Sequence, residues 1–327
     1  MRLIFMGSPQ FAIPSLERLL ESKHEILAVV TQPDKPAGRG QHLTPTAVKK
    51  RALEAGLTVY DPPKLKGTNF HETLAEYKPD ALVVVAYGKI LRPEVLNVPR
   101  LGCINVHASL LPKYRGAAPV QWTLIRGELK TGVTIMKLDE GMDTGPILDV
   151  AELEILDDDN IQSLSNALSV LGADLLMKVL DRVEERDAIE GRPQDSAQAT
   201  YAPMLKKEDG KLDWSKTTEQ IMCHLRGVTP WPGAYSLLTG GASAAGLRDQ
   251  PFRILDAEVP GSHEIPPLGD QTPAPGEVVG VLKGYGVIVR TGSGYLMVTR
   301  VQPPNKREMT AMDCVNGGLL KVGMRFA

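Results

Sequence analysis

Asn105 and His107 sit two positions apart in an apolar run that opens at Gly102. At strand spacing both side chains point to the same face. A turn with Pro112 and Gly116 follows at once, then the start of a helix. Open α/β sheets hold their ligands where strands end and loops begin. An amide beside an imidazole can donate hydrogen bonds to a carbonyl oxygen as it gains negative charge. The neutral ring donates one N–H and the imidazolium two, and the sequence leaves that choice open. A group that handles protons would complete such chemistry. The run Leu138-Asp-Glu-Gly-Met-Asp-Thr-Gly-Pro146 offers Asp139, Glu140 and Asp143. Its glycines and proline let the loop turn sharply and come close to a ligand. By composition none of the three carboxylates is preferred. Ser109 is a poor nucleophile candidate, because no G-x-S-x-G elbow surrounds it.

These residues need a scaffold. Residues 2–6 read as a buried strand, 10–22 as an amphipathic helix and 25–30 as a second strand. A helix over 44–55, a short strand over 57–60 and a helix near 67–77 follow. Residues 81–86 and 102–107 read as apolar strands, 116–127 as a helix, 132–138 as a strand and 160–188 as one long helix. Alternating helices and fully apolar strands argue a Rossmann-like α/β fold, with a mostly parallel sheet covered by helices on both faces. Gly7-Ser-Pro-Gln departs from G-x-G-x-x-G, so dinucleotide binding is not supported. The texture changes after residue 189, where Gly191-Arg-Pro-Gln-Asp-Ser-Ala-Gln-Ala is polar and turn-rich. The expected division is a catalytic domain over 1–189, a linker over 190–206 and a smaller, OB-like β-barrel over 207–327. In that second part, 217–227 reads as a helix, and 278–282, 286–290 and 295–301 read as strands. Proline and glycine are dense between 239 and 276, and this stretch is expected to loop out from the barrel.

A chain of 327 residues suits two domains. No unbroken apolar run approaches the ~20 residues that span a bilayer, and no basic patch precedes an apolar run near Met1. A soluble, cytoplasmic monomer is expected. Cys103, Cys223 and Cys314 form no C-x-x-C pair, and the six histidines show no metal-ligand spacing, so neither disulfide nor metal is expected. Cys103 reads as core packing. The net charge of −2 excludes an overall basic nucleic-acid binder but not a local patch. Between Lys35 and Lys66 seven basic residues face two acidic ones.

Asn105-Val-His107-Ala-Ser-Leu-Leu-Pro112 and Tyr114-Arg-Gly-Ala-Ala-Pro119 resemble the signature of the folate-dependent formyltransferases. The resemblance extends to Leu3-Ile-Phe-Met-Gly-Ser-Pro-Gln-Phe11, Thr31-Gln-Pro-Asp-Lys-Pro-Ala-Gly-Arg-Gly40, Val84-Val-Ala-Tyr-Gly-Lys-Ile90, Leu138–Gly145 and Trp231-Pro-Gly-Ala-Tyr235. It implies 10-formyltetrahydrofolate as formyl donor and Asn105, His107 and Asp143 as the catalytic set, with Asp143 chosen because it precedes Thr-Gly. It also implies that Ser109, Leu110, Leu111 and Pro112 contact the folate. Loops at the strand ends would complete that pocket through Tyr87, Gly88, Ile90, Leu91 and Asp139. Gln10 and Phe11 are expected beside the aminoacyl end.

The catalytic set is common to relatives with different acceptors, so the acceptor must be read elsewhere. The basic loop with Lys35 and Arg39, and the second domain entered through Lys206, Lys207 and Lys211, suit a phosphate backbone. The expected acceptor is therefore the amino group of a charged initiator methionyl-tRNA. An amino sugar nucleotide is the alternative enzyme reading, and a non-catalytic RNA- or folate-binding protein the alternative class.

Overall fold

A computed structural model describes residues 1–37, 42–65, 67–239, 250–267 and 272–327. The chain divides into two compact units. The first comprises Met1–Val120, Leu129–Asp157 and Gln162–Met204; the second comprises Gln121–Glu128, Asp158–Ile161 and Leu205–Ala327. The stretch expected as a linker is thus part of the first unit up to Met204. Its backbone is paired there: Arg192 exchanges hydrogen bonds with Ile147, and Ala202 donates to Arg115.

The first unit is built on β1 (Arg2–Gly7), β2 (Glu25–Val30), β5 (Val59–Tyr60), β6 (Ala81–Val85), β7 (Gly102–His107), β8 (Lys130–Lys137) and β9 (Ile147–Glu154), in the order β5-β2-β1-β6-β7-β8-β9. A separate hairpin pairs β3 (Lys35–Ala37) with β4 (His42–Thr44). The strands from β5 to β7 run parallel. β8 and β9 join antiparallel. Every residue of β6, and all of β1 except Arg2, is buried, which is why these strands read as unbroken apolar runs. The helices are α1 (Ile13–Leu20), α2 (Ala47–Glu54), α3 (Phe70–Glu76), α4 (Pro93–Leu96) and α6 (Ile161–Arg186). α5 (Pro119–Ile125) carries the chain into the second unit. The expected helix over 10–22 is a 3₁₀ turn, Gln10–Ala12, followed by α1, whose second residue is Pro14.

The two faces of β7 have different tasks. On one face Leu82 lies beside Cys103 and Val84 beside Asn105. Ile4, Met6, Leu82, Val84 and Cys103 belong to one buried cluster. The row turns polar at Asn105 and His107. Val106 points the other way, against α6. A Cβ on Gly172 of that helix would stand 2.8 Å from Val106 Cγ1, so only glycine lets α6 lie this close. α6 is also apolar enough in composition to cross a bilayer, with an 18-residue window of mean hydropathy 1.3, which the absence of an unbroken apolar run did not reveal. Half of that window is buried inside the protein, Leu164, Leu168, Leu176 and Leu180 among it.

The second unit contains α7 (Thr218–Val228), β10 (Tyr235–Thr239), β11 (Pro251–Glu258), β12 (Val278–Leu282), β13 (Gly286–Arg290), β14 (Tyr295–Gln302), β15 (Met309–Thr310), α8 (Ala311–Asn316) and β16 (Arg325–Phe326). The sheet order is β12-β13-β14-β11-β10-β16, with β15 on β14. Its two ends meet: Phe326 N donates to Gly276 O and Val278 N to Met324 O, each 2.8 Å. The sheet therefore closes into a barrel, which removes its edges. β11 corrects the expected excursion over 239–276. It alternates buried and exposed residues and pairs with both β10 and β14. Trp214, Phe252 and Phe326 meet in the barrel core at ring separations of 5.5–5.6 Å. The buried Trp214 N–H donates to Ser236 Oγ at 2.7 Å.

Gly172→Val tests the close approach of α6. Overpacking of this kind costs about 1–3 kcal/mol. The expected outcome is an earlier urea unfolding transition, with β7 and its His107 displaced in the variant's structure.

Candidate active site

The carboxyl ends of three parallel strands are level, since Gly7 pairs with Val85 and Val85 with Val106. Strand order reverses between β1 and β6, and a crevice opens outside the sheet at such a point. The loops that leave there are tied to one another. Ser8 Oγ accepts from Gln32 N at 3.0 Å and donates to Tyr87 O at 3.5 Å, and Gln32 Nε2 donates to Tyr87 O at 2.9 Å. Tyr87 thus offers its carbonyl to the loops. Its ring lies in the core with Leu91, and burial pushes its phenol up to about 12. Gly88 has φ +78° and Ile90 is 77% exposed. Lys89 donates to the carbonyls of Pro62 and Pro63 at 2.9 and 3.2 Å. Desolvation first, then the charge of Lys35, holds the Lys89 ammonium below its ordinary range.

Asn105 and His107 are 9% and 6% exposed. Among the described residues the Asn105 amide has no protein hydrogen-bond partner, which leaves its donors open to a ligand. His107 Nε2 lies 3.0 Å from Tyr114 O. A carbonyl only accepts, so Nε2 carries a hydrogen in either charge state. The other ring nitrogen, Nδ1, lies 3.8 Å from Asp143 Oδ2. That oxygen also accepts from Gly116 N at 2.8 Å. Of the three carboxylates in the loop, Asp143 alone reaches His107. Asp139 Oδ1 is committed within its own turn, to Gly141 N at 3.1 Å and Thr144 Oγ1 at 2.7 Å.

The turn after β7 is held by two hydroxyls. Ser109 is fully buried, and its Oγ donates to Lys113 O at 2.7 Å, so the hydroxyl serves the turn. Thr134 of β8 donates to Ser109 O at 2.7 Å and accepts from Leu111 N at 3.0 Å. Leu111 is buried against Met136 and Ile147; Leu110 and Pro112 are half-buried. A recess of about 450 Å³ opens between α4 and the loop after β8, bordered by Leu96, Cys103, Leu138 and Asp139. Burial pushes the Cys103 thiol up to about 12, as suits core packing. A second recess, about 510 Å³, lies along β9 and Glu190–Arg192 and contains neither Asn105, His107 nor Asp143.

Residues 1–180 match the family described as formyl transferase, and residues 204–319 match the formyl transferase C-terminal domain. The chain belongs to the formyltransferase family. A methionyl-tRNA formyltransferase of Thermodesulfovibrio yellowstonii is 45% identical to this formyltransferase over 98% of the chain and 97% of its own length. One of Sulfurihydrogenibium sp. is 42% identical over 100% of both. The same fold occurs in the N-formyltransferase from Helicobacter canadensis, solved with folinic acid and dTDP-3-aminofucose. It covers 90% of this chain and 98% of its own at a TM-score of 0.64 and 19% identity. HypX from Aquifex aeolicus, solved with tetrahydrofolic acid, has a TM-score of 0.62 at 17% identity, covering 98% of this chain and 48% of its own.

Other residues singled out by the sequence are dispersed in this formyltransferase. Gln10 and Phe11 lie on the 3₁₀ turn after β1, Gln10 exposed and Phe11 half-buried. Lys35 is exposed on β3 and donates to Gln32 Oε1 at 2.9 Å. Arg39 lies outside the described residues. Lys206 and Lys207 are exposed at the start of the second unit. The basic run over 35–66 is partly neutralised: Lys49 pairs with Asp34 and Asp61, and Arg51 with Glu17. Thr134, Arg115 and Gln194 are the site's unforeseen members. Thr134 and Gln194 act on backbone groups distant in sequence, and Arg115 on the Gln194 side chain 79 residues away; nothing in their local patterns signals that.

Thr134→Val keeps the shape and removes both hydroxyl bonds. A buried donor and acceptor left unmet cost about 1–3 kcal/mol. Chemical denaturation should show a loss of that size, and formyl transfer should fall as the Ser109–Pro112 turn loosens.

Proposed function

We propose that this formyltransferase moves the formyl group of 10-formyltetrahydrofolate onto the α-amino group of initiator methionyl-tRNA, giving N-formylmethionyl-tRNA for translation initiation. It acts in the cytoplasm, where charged tRNA is made and used. The observation that carries the chemistry is the uncommitted Asn105 amide beside a His107 whose free ring nitrogen faces Asp143. The acceptor reading is supported by full-length relatives at 42–45% identity that bear that activity in their names.

In the proposed reaction the amine nitrogen attacks the formyl carbon, and the carbonyl π pair moves onto oxygen. The oxyanion takes hydrogen bonds from Asn105 and from the His107 ring. The Asp143 carboxylate accepts the proton that the amine sheds. When the oxyanion collapses, the bond from the formyl carbon to the folate nitrogen breaks, and that nitrogen leaves with the proton that Asp143 accepted, which restores the carboxylate. Formylfolate lies among Tyr87–Leu91, Ser109–Pro112 and the Asp139–Asp143 loop. Lys35 and Arg39 meet the acceptor end of the tRNA, with Gln10 and Phe11 near its aminoacyl group. Lys206, Lys207 and the barrel hold the stem further along.

Asn105→Ala, His107→Ala and Asp143→Ala should each lower kcat with the fold intact; loss of one oxyanion donor typically costs ~10²–10³-fold. Near-normal turnover in any two variants, at saturating substrates, would overturn the catalytic assignment. The acceptor is tested by offering labelled 10-formyltetrahydrofolate with charged initiator tRNA, an amino sugar nucleotide or water alone. Label is expected in formylmethionyl-tRNA; transfer to the sugar nucleotide in preference would replace the tRNA reading.

Arg39→Ala should raise the KM for tRNA and flatten its salt dependence, because a phosphate contact releases counterions. Folate affinity should be unchanged. An equal loss of folate binding would put the basic loop over the donor pocket instead.

A further inference from the structure

We infer that Gln194, 51 residues from Asp143 in sequence, is a positioning residue that holds the Asp143 loop in its working geometry. The inference rests on the catalytic role proposed for Asp143. Asp143 has φ +53°, a left-handed conformation uncommon for residues with a side chain, though less so for Asp than for most. Two sets of bonds hold it. Gly116 N grips the carboxylate at 2.8 Å. The Gln194 carboxamide grips the main chain on either side of Thr144, its Nε2 donating to Asp143 O at 2.8 Å and to Gly145 O at 2.7 Å.

Gln194 is itself fixed from behind. Its Oε1 accepts from Arg115 Nε and Nη2 at 3.1 and 2.7 Å, and Arg115 is only 3% exposed. Arg115 directly precedes Gly116. One short segment therefore holds Asp143 twice, by its own N–H on the carboxylate and through Gln194 on the backbone. A carboxamide suits this position because it presents two donors on one side and an acceptor on the other.

Gln194 is not needed to dock the segment that carries it. Tyr114 N donates to Thr200 Oγ1, Arg115 N to Thr200 O, and Ala202 N to Arg115 O, all at 2.8–2.9 Å. These bonds survive a change at Gln194, so its particular contribution is to the loop. Displacing a catalytic group by about 1 Å can cost roughly 10²-fold in rate.

Gln194→Glu is the test. It keeps the acceptor for Arg115 and removes both donors to the loop. Gln194→Met, of similar length, removes all four bonds. In each, kcat for formyl transfer to methionyl-tRNA should fall roughly 10²-fold, while KM for both substrates stays within about twofold. Hydrogen exchange at Gly116 N–H should speed up as its carboxylate partner drifts. If Gln194→Met fails to fold, Gln194→Glu decides. A kcat within about threefold of the unaltered enzyme, or Gly116 exchange no faster than in it, overturns the inference. If the unaltered chain makes no formylmethionyl-tRNA, the reading of its function fails instead, and Gly116 exchange still decides for Gln194.

Discussion

The bond from Gly116 N to the Asp143 carboxylate joins two loops that leave the sheet at different ends. β7 and β8 are antiparallel, with His107 opposite Thr134 and Ile104 opposite Lys137. The chain therefore leaves β7 near His107 and leaves β8 three residues lower, beside Cys103 and Ile104. To bring a carboxylate to His107, the loop after β8 must run back across the polar face of β7. Nothing in the strands compels that return. A backbone donor on one loop and a carboxylate on the other close the gap, and the separation of 3.8 Å between His107 and Asp143 depends on both staying in place.

The surrounding structure is stiff where this closure needs it. Each loop at the carboxyl edge has polar backbone groups that water cannot fully reach, and each finds a side-chain partner. Ser8 and Gln32 serve the turn at Tyr87, and Thr134 serves the turn at Ser109 and Leu111. Unmet groups of this kind are costly in a buried setting, so these bonds both stabilise the loops and define them. Behind them, α6 presses Gly172 onto Val106 and supports β7 from the opposite face. The site residues are thus carried by a packed strand and by loops tied through these side-chain bonds. Residues held in this way would need little rearrangement during reaction to serve as the proposed oxyanion donors.

The second unit solves a different problem. Its antiparallel strands close on themselves through Gly276–Val278 and Met324–Phe326, around an aromatic core. Closure pairs the edge of β12 with that of β16. Its first residues, Lys206, Lys207 and Lys211, are exposed and basic, whereas Lys49 and Arg51 in the first unit are occupied by carboxylates. Positive charge that suits phosphate is therefore sparser in the first unit than its sequence suggests.

The sequence by itself determined the local periods. Alternation put Asn105 and His107 on one face, unbroken apolar runs marked the parallel strands, and the glycines around Asp143 marked a loop able to approach a ligand. Those features depend on residues a few positions apart, where chain geometry alone relates one side chain to the next. Only the tertiary structure decided that the loop after β8 runs back to set Asp143, the carboxylate singled out by the family resemblance, 3.8 Å from His107, and that residues 190–204 pack with the first unit. It also decided that 251–258 is a barrel strand and that Lys49 and Arg51 are neutralised. Each of these is a pairing across a long separation, such as Arg115 with Gln194, 79 residues apart. A polar residue signals such a partner by no local pattern, because its donors and acceptors can be met anywhere the fold brings a complement within about 3 Å.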